Sequence, residues 1–239
     1  MIIWRSLGAS VIGPGHINSG ISNQDAWLSV QYEWGDIITV ADGVGSKKFS
    51  DFGSRCACLA VARAIYDYRE DVKLDQNKIA NTIKDKWLSL ISPLDPRDCA
   101  STCLLAFRSN KGFVTIGILG DGLAAAVKVD GSVESLSDDK LEGFSNITIA
   151  LSPNVNPHDW RWLSIPEIEC QSIFLCTDGV SDDLLDTDGF VKTFFDVYRD
   201  FSSVSGARRL RKVLTEWPTP KHTDDKTIAC LLREDISDE

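Results

Sequence analysis

Short apolar runs that stop at an aspartate recur along this sequence, and they constrain the fold more than any other feature. The β-branched run from Ile37 to Val40 is followed by Ala41, Asp42 and Gly43. Such a run favours a buried strand, and glycine permits the sharp change of direction that must follow it. A carboxylate at the end of a buried strand is costly unless a cation lies beside it.

Similar aspartates lie at the ends of other apolar runs. Asp121 and Asp178 each follow such a run and precede a glycine, Asp224 precedes the run that ends at Leu232, and Asp25 follows a turn-like stretch. A single Asp-Gly pair is most often only a turn. Several carboxylates at strand ends together predict a shared site for divalent cations.

Composition narrows the class of protein. The chain has 239 residues, with 35 acidic and 25 basic residues and a formal charge of -10, which argues against unaided binding to nucleic acid or to an anionic membrane. The sequence has no basic-then-apolar leader, and no apolar run approaches the roughly 20 residues that a membrane-spanning helix needs. The seven cysteines include no Cys-x-x-Cys pair and favour buried, reduced thiols over disulfides. We therefore expect a cytoplasmic protein without a membrane partner.

Hydrophobic periodicity predicts one α+β domain over residues 1–239. A glycine-rich loop over 13–20 follows a short strand over 9–12. Strands 26–32 and 36–41 form a hairpin that places Asp25 and Asp42 at the same end. Ser50 is predicted to cap a helix that runs to Arg69, with Phe52, Cys56, Leu59 and Ala60 on its buried face, and three further helices are expected over 76–91, 187–199 and 206–214.

Six further strands are predicted, and the short turns between several of them favour antiparallel pairing. They cover residues 101–107, 112–119, 123–129, 145–151, 172–176 and 226–232. The segment 152–165 has no clear period and is predicted to be a loop or insertion. Its tryptophans, Trp160 and Trp162, either anchor the segment by packing or form a recognition surface.

Six motifs, in their order along nearly the whole chain, resemble those of the protein phosphatase 2C family of metal-dependent serine/threonine phosphatases. They are Asn23-Gln24-Asp25-Ala26, Val40-Ala41-Asp42-Gly43-Val44-Gly45, Ala100-Ser101-Thr102, Gly120-Asp121-Gly122, Thr177-Asp178-Gly179-Val180-Ser181-Asp182 and Asp224-Asp225-Lys226-Thr227. Each motif is weak alone, but the ordered set is specific.

The resemblance implies a four-layer α-β-β-α sandwich, in which two antiparallel sheets pack face to face and are flanked by helices. It also implies a centre of two Mn²⁺ or Mg²⁺ ions where the sheets end. Asp42 would bridge the ions, the Gly43 carbonyl would bind one of them, and Asp178 and Asp224 would complete the ligands of the first ion. Asp25 would serve the second ion through water.

Two more aspartates, Asp121 and Asp182, match the positions that hold a weaker third metal ion in family members. The chemistry agrees with these residue types, because Mg²⁺ and Mn²⁺ are hard ions that prefer oxygen ligands. Two such ions lower the pKa of a bridging water and clamp phosphoryl oxygens, so the resemblance implies hydrolysis of phosphoserine or phosphothreonine without a covalent intermediate. Cysteine-based phosphatase chemistry is disfavoured, since no cysteine lies in a Cys-x5-Arg loop.

The sequence departs from the family pattern beside the second metal. Gln24 replaces the usual glutamate, and the arginine that commonly binds substrate phosphate has no counterpart between Gly13 and Asn23. Either His16 or a basic residue such as Arg5, Lys47 or Arg55 replaces that contact in part, or the site relies on the metal ions alone. His16 is otherwise a loop histidine satisfied by hydrogen bonds.

Residues 152–165 fall where family members carry a variable flap, so Trp160, Arg161 and Trp162 are predicted to influence substrate choice. The favoured function is a phosphoprotein phosphatase that opposes a serine/threonine kinase in a bacterial-type signalling system. The alternatives are a low-turnover or inactive phosphatase-like sensor module and, third, a phosphatase acting on a small phosphorylated metabolite.

Overall fold

The computed structural model describes residues 2–71, 75–137, 149–218 and 223–235. Its strands are β1 Ile2–Val11, β2 Asp25–Tyr32, β3 Gly35–Asp42, β4 Cys103–Ser109, β5 Phe113–Leu119, β6 Leu123–Lys128, β7 Val133–Ser137, β8 Arg161–Pro166, β9 Cys170–Cys176 and β10 Lys226–Asp235. Its helices are α1 Pro14–Ser19, α2 Ser50–Asp67, α3 Gln76–Ile91, α4 Asp178–Ser181, α5 Thr187–Tyr198 and α6 Ser203–Thr215. Short 3₁₀ turns occupy Pro96–Asp98, Pro157–Asp159 and Glu167–Glu169.

The strands form two five-stranded sheets in which every pairing is antiparallel. One sheet has the order β1-β10-β9-β6-β7 and the other has the order β2-β3-β4-β5-β8. Hairpins with short turns account for the neighbours β2-β3, β4-β5 and β6-β7. The antiparallel pairing predicted from the short turns is therefore confirmed.

Side chains on successive strand residues point to opposite faces, and here both faces of each sheet are apolar. In β3, Ile37 packs against α2 and α3, whereas Ile38 packs between the sheets with Ile116 and Leu231. On the other side, α5 and α6 cover residues such as Phe174. Four layers follow from this burial, and the predicted α-β-β-α sandwich is confirmed.

Helix α3 has the predicted bounds, and the predicted buried face of α2 is confirmed for Cys56 and Ala60 but was wrong for Phe52 and Leu59. Phe52 and Leu59 are 40% and 43% exposed, whereas the small residues Ala57 and Ala60 are fully buried. The helix lies so close to its neighbours that a Cβ at Gly53 would come within 1.9 Å of the Cys99 carbonyl oxygen. The side of the helix that carries small side chains is therefore the side that packs closely. Ser50, which was predicted to be the N-cap, is instead the first residue of the helix, and the N-cap position is occupied by Phe49, which forms no capping hydrogen bond through its side chain.

Other differences concern segments rich in glycine, proline or tryptophan. The predicted loop over 13–20 contains the helix α1, which begins at Pro14 and ends before Gly20 in a left-handed conformation with φ of 67°. Strand β1 is much longer than predicted, and β7 and β8 were not predicted. Most of the strand predicted over 145–151 lies outside the described residues, although Leu151 forms a bridge with Ser101.

The segment 152–165 is not the simple loop or flap-like insertion that was predicted. Its second half forms β8, which pairs with β5 along the register Ile118↔Arg161 to Phe113↔Pro166 and is the edge strand of its sheet. This strand lacks a strict apolar-polar alternation, so its period gives no strand signal. The first half contains only the turn at Pro157–Asp159.

All seven cysteines are buried and none forms a disulfide, as predicted. Burial raises the pKa of Cys58, Cys170 and Cys230 to about 12, so these thiols stay protonated.

Among the described residues, no helix combines the length and apolar character needed to cross a membrane.

Candidate metal centre

The β2–β3 hairpin brings two of the predicted ligands together. Asp25 begins β2 and Asp42 ends β3, and the two residues are directly opposite one another in the antiparallel register. Each of the two carboxyl groups influences the pKa of the other. Asp25 also accepts a hydrogen bond of 2.8 Å from the Thr177 hydroxyl of the other sheet. The predicted placement of Asp25 and Asp42 at the same end of the sheet is confirmed.

Asp178 and Asp224 lie beside neighbouring strands of the other sheet. The Thr177 N–H donates to the Thr227 carbonyl at 3.2 Å, and the Thr227 N–H donates to the Thr177 hydroxyl at 3.2 Å. These bonds hold the start of α4, where Asp178 is the first residue, against the segment that carries Asp224. Gly179 permits this approach, because a Cβ there would lie 1.9 Å from the Asp225 carbonyl oxygen.

Burial and mutual repulsion make this group of carboxylates unfavourable when all are charged. Burial, followed by the charges of Asp25, Asp178 and Asp224, raises the pKa of Asp42 well above its usual range. Burial raises the pKa of Asp25 to about 7, and burial with the charges of Asp121 and Asp224 raises that of Asp178 to about 6. Within the described ranges, none of Asp25, Asp42, Asp178 and Asp224 pairs with a lysine, arginine or histidine.

Asp121 and Asp182 extend the acidic group on the side of Asp178. Asp121 lies in the turn between β5 and β6, between Gly120 and Gly122, whose φ values of 93° and 108° are in the left-handed region that favours glycine. The Asp182 N–H donates to the Asp178 carbonyl at 2.9 Å. Charge on either carboxylate raises the pKa of Asp178. Both residues therefore belong to the same acidic group as Asp178.

Asp225 has a structural role that the sequence analysis did not assign. Its buried carboxylate accepts the Gly13 N–H at 2.7 Å and the Gln24 N–H at 2.6 Å, and it contacts His16 Nδ1 at 2.9 Å. It thereby joins α1, the Gln24-Asp25 motif and the start of β10. The signal in the sequence was the pair Asp224-Asp225, but the pair does not reveal which carboxylate faces inward.

The donor set fits a hard divalent cation. Carboxylate oxygens predominate, and the repulsion between them is the cost that bound cations would remove. In the described part of the chain, His16, Asp224 and Asp225 form a group whose possible ligand atoms all lie within 4.8 Å of one another. Both oxygens of Asp225 already accept hydrogen bonds, whereas the charge of Asp224 acts on Asp42 and Asp178.

Comparison with known protein families shows to which family the chain belongs. The family described as protein phosphatase 2C matches residues 12–215 of this sequence. The chain belongs to the protein phosphatase 2C family. The matched range includes Asp25, Asp42 and Asp178, whereas Asp224 lies beyond it.

Solved structures of this fold superpose on the phosphatase 2C chain over nearly its full length. The structure of the SpoIIE phosphatase domain from Bacillus subtilis, with a fragment of its regulatory domain, has a TM-score of 0.66 and 13% identity. The match covers 99% of this chain and 65% of the SpoIIE chain. RsbX in complex with magnesium has a TM-score of 0.63 and 15% identity, and the match covers 98% of this chain and 100% of the RsbX chain. A bacterial serine phosphatase has a TM-score of 0.71 and 16% identity, and the match covers 98% of this chain and 100% of that chain. The TM-scores show that the fold is shared, and at identities this low the likeness shows the fold alone. A search of curated proteins finds no match.

The structure limits which cation can replace the family's phosphate-binding arginine. Arg5 pairs with Glu234 and donates to the Arg199 carbonyl at 2.8 Å, and it lies opposite Leu232, far along β1 from the metal end. The suggestion that Arg5 contacts substrate was therefore wrong. Arg55 is an exposed residue of α2, 3.8 Å from Asp51. His16 contacts Asp225, as expected of a histidine satisfied by hydrogen bonds.

The tryptophans predicted to affect substrate choice pack in the phosphatase 2C sandwich. Trp160 is 5% exposed and stacks on Trp162 with ring centroids 5.4 Å apart. Trp162 covers Gly117, where a Cβ would lie 2.5 Å from the indole ring. Arg161 donates to the Ser137 carbonyl and, at 3.3 Å, to the Gly120 carbonyl. These contacts favour the packing alternative over a recognition surface.

Proposed function

We propose that this protein is a metal-dependent phosphatase that hydrolyses phosphoserine or phosphothreonine in a phosphoprotein. The observation that carries the proposal is the convergence of Asp25, Asp42, Asp178 and Asp224 from separate segments, with no cationic side chain paired to them in the described ranges. A purely structural role would not need several buried carboxylates to face one another. Membership of the protein phosphatase 2C family suggests what the converging carboxylates do, which is to bind the metal ions of a phosphatase.

Each aspartate has a proposed role. Asp42 would contribute to holding both ions, the Gly43 carbonyl would bind one of them, and Asp178 and Asp224 would hold the first ion. Asp25 orients the ligands of the second ion, and its bond from Thr177 fixes the carboxylate for that task. Asp121 and Asp182, whose charges act on Asp178, are the proposed ligands of a weaker third ion.

Mg²⁺ or Mn²⁺ is the proposed cofactor, since both ions prefer oxygen donors. RsbX, which has this fold, was crystallised with magnesium. When bound, the ions supply the acidity that makes water nucleophilic and the positive charge that stabilises a transferring phosphoryl group. The protein contributes position, because the hairpin and the Thr177–Thr227 pair fix the carboxylates before substrate arrives.

The low-turnover sensor remains the second candidate. Gln24 is 7% exposed and presents a neutral amide where the family usually has a charge, and Arg5 is directed away from the site. A weaker second metal and the lack of an arginine contact to phosphate would both reduce turnover. This alternative predicts metal binding without hydrolysis.

The proposed cellular setting is the cytoplasm, in a signalling system with a serine/threonine kinase. Seven buried, unpaired cysteines suit a reducing compartment. Structures of similar fold include SpoIIE, described as a cell fate determinant. A phosphorylated signalling protein is therefore the proposed substrate.

The proposal is tested by hydrolysis of p-nitrophenyl phosphate with and without Mn²⁺, in the wild type and in Asp42→Asn. We expect turnover that requires Mn²⁺ and falls by about 100-fold or more in the variant, since even outer partners of metal ligands are worth about 10–100-fold. Asp130→Asn, in an exposed turn, is the matched control and should retain activity.

Metal binding is measured in parallel by titration calorimetry. A folded wild type that binds Mn²⁺ without hydrolysing either this ester or a phosphoserine peptide would support the sensor instead. A wild type that binds no divalent ion would overturn the metal centre itself.

A further inference from the structure

Helix α6 is strongly basic in a chain that is acidic overall. It contains Arg208, Arg209, Arg211 and Lys212 and no acidic residue, whereas the whole chain has a formal charge of -10. Arg208, Arg211 and Lys212 are spaced i, i+3 and i+4 and therefore share one face. That face is opposite the buried residues of the helix, so its charges are presented to solvent.

The basic side chains of α6 differ in whether they already contact another side chain of the protein. Arg209 lies over the Phe201 ring at 5.3 Å, and Lys212 lies 3.9 Å from Glu216. Arg208 and Arg211 form no ion pair or side-chain hydrogen bond within the described ranges. Two guanidinium groups are thus available to an anionic ligand.

A cavity extends from this helix to Asp224, one of the proposed metal ligands. It has a volume of about 620 Å³, and its lining includes Arg211 and Trp217 on the side of α6 and Asp224 on the side of the metal site. Ile17 of α1 and Asn23 of the first motif also line it. Lys226 also lines the cavity, and its ammonium group donates to the Asp224 carbonyl at 3.1 Å. A chain that enters the metal site from this side would pass Arg211.

We propose that the cavity and the basic face of α6 bind an acidic segment that flanks the phosphorylated residue of the protein substrate. This inference rests on the proposed phosphatase function and specifies its substrate class. Charge complementarity supports an acidic occupant, because the helix presents available guanidinium groups beside a cavity with aromatic and apolar walls. A nucleic acid fits less well, since a long polyanion would also meet the remaining surface of an acidic protein.

The test compares two phosphoserine peptides of equal length, one with glutamates flanking the phosphoserine and one with glutamines there. The variant Arg208→Ala/Arg211→Ala removes the available charges, and Lys192→Ala, on the exposed surface of the neighbouring helix α5, is the control. In the wild type, kcat/KM should favour the acidic peptide. The ratio should fall about five- to tenfold in the double variant, as for the loss of two exposed ion pairs, and should be unchanged in the control.

Binding is measured separately, so that failure of the docking surface can be distinguished from failure of the phosphatase function. Fluorescein-labelled peptides with alanine in place of phosphoserine report docking by anisotropy, whether or not the protein hydrolyses esters. Preference for the acidic peptide that weakens in the double variant and with added salt would support the surface. Absence of Mn²⁺-dependent hydrolysis of p-nitrophenyl phosphate in the same preparation would count against the catalytic function alone.

Three results would overturn the docking proposal. The first is equal affinity of the wild type for acidic and neutral peptides. The second is a lower melting temperature in the double variant with unchanged peptide preference, which would assign the charges to stabilising the C-terminal end of α6. The third is tighter binding of a single-stranded oligonucleotide of the same charge than of the acidic peptide.

Discussion

At the scale of single residues, Asp225 shows how a carboxylate next to a proposed metal ligand serves a different purpose. One of its oxygens accepts the Gly13 N–H and the other accepts the Gln24 N–H and contacts His16. Backbone N–H groups that are buried must be satisfied, and a charged acceptor satisfies them more strongly than a neutral one. Asp225 therefore fixes the approach of the first motif to the metal centre.

We expect Asp225→Asn to destabilise the protein by about 1–3 kcal/mol, because the amide NH₂ would face a buried N–H donor that then lacks an acceptor. His16→Ala should cost less, since both backbone donors keep their carboxylate. The measurement is thermal unfolding in EDTA, which removes any contribution from bound metal. Asp130→Asn is the control, because Asp130 also accepts a backbone N–H, from Ser132 at 2.8 Å, but in an exposed turn. Equal losses in Asp225→Asn and the control would contradict the role given to Asp225.

At the scale of elements, two tryptophans hold the edge strand β8 in place: Trp162 within the strand and Trp160 immediately before it. Trp160 packs with α3 and the buried residues beneath it, and Trp162 lies across Gly117 of the neighbouring strand. The ring stack between the two indoles continues this contact along the sheet edge. The strand therefore depends on packing below it as well as on hydrogen bonds to β5.

We expect Trp160→Ala to destabilise the protein by about 3–5 kcal/mol, the usual cost of removing a large buried aromatic side chain. Ile168→Ala should change stability by less than about 0.5 kcal/mol, since Ile168 is 72% exposed. Chemical denaturation of both variants measures these effects. If Trp160→Ala were as stable as the wild type but selectively lost activity on a phosphoprotein, the recognition role predicted for this residue would be correct and the packing role wrong.

The sequence predicted elements well where one local pattern dominates. Residues 76–91 have a clear helical period, and the β2–β3 hairpin joins two largely apolar strands, one of them rich in β-branched residues, across a short turn, so both were found. Strand β8 and helix α1 were missed because β8 is stabilised by distant tryptophan contacts and α1 begins at Pro14 within a glycine-rich stretch. The face of α2 was misjudged because size, rather than hydrophobicity, decides which side packs closely.

The same distinction holds for the candidate site. Asp25 and Asp42 could be paired from the sequence, since hairpin register follows from strand and turn lengths. The inward direction of Asp225 could not, because it depends on where the Gly13 and Gln24 N–H groups lie after the sheets pack. Local chemistry marks acidic positions, but tertiary packing decides which of them bind backbone and which remain for a ligand.

At the scale of the whole molecule, the acidic centre links stability to pH and to metal. In the folded protein the pKa of Asp25 is about 7 and that of Asp178 is about 6, against an ordinary value of 3.8. Between pH 4 and 7 the folded state therefore binds more protons than the unfolded state. The resulting stability is fully present below the ordinary pKa and is lost as the pH rises through the folded values.

We therefore expect the protein in EDTA to melt about 5–10 °C lower at pH 8 than at pH 5, the size expected when a few kcal/mol is lost from a domain of this length. Saturating Mg²⁺ should raise the melting temperature most at pH 8, because the cation stabilises the ionised carboxylates and binds only where they converge. Asp178→Asn should reduce the pH dependence in EDTA, since it removes one group that titrates in this range. Differential scanning calorimetry across this pH range, with and without Mg²⁺, measures all three effects. A melting temperature in EDTA that rises from pH 5 to pH 8 would mean that these carboxylates do not face one another as the structure places them.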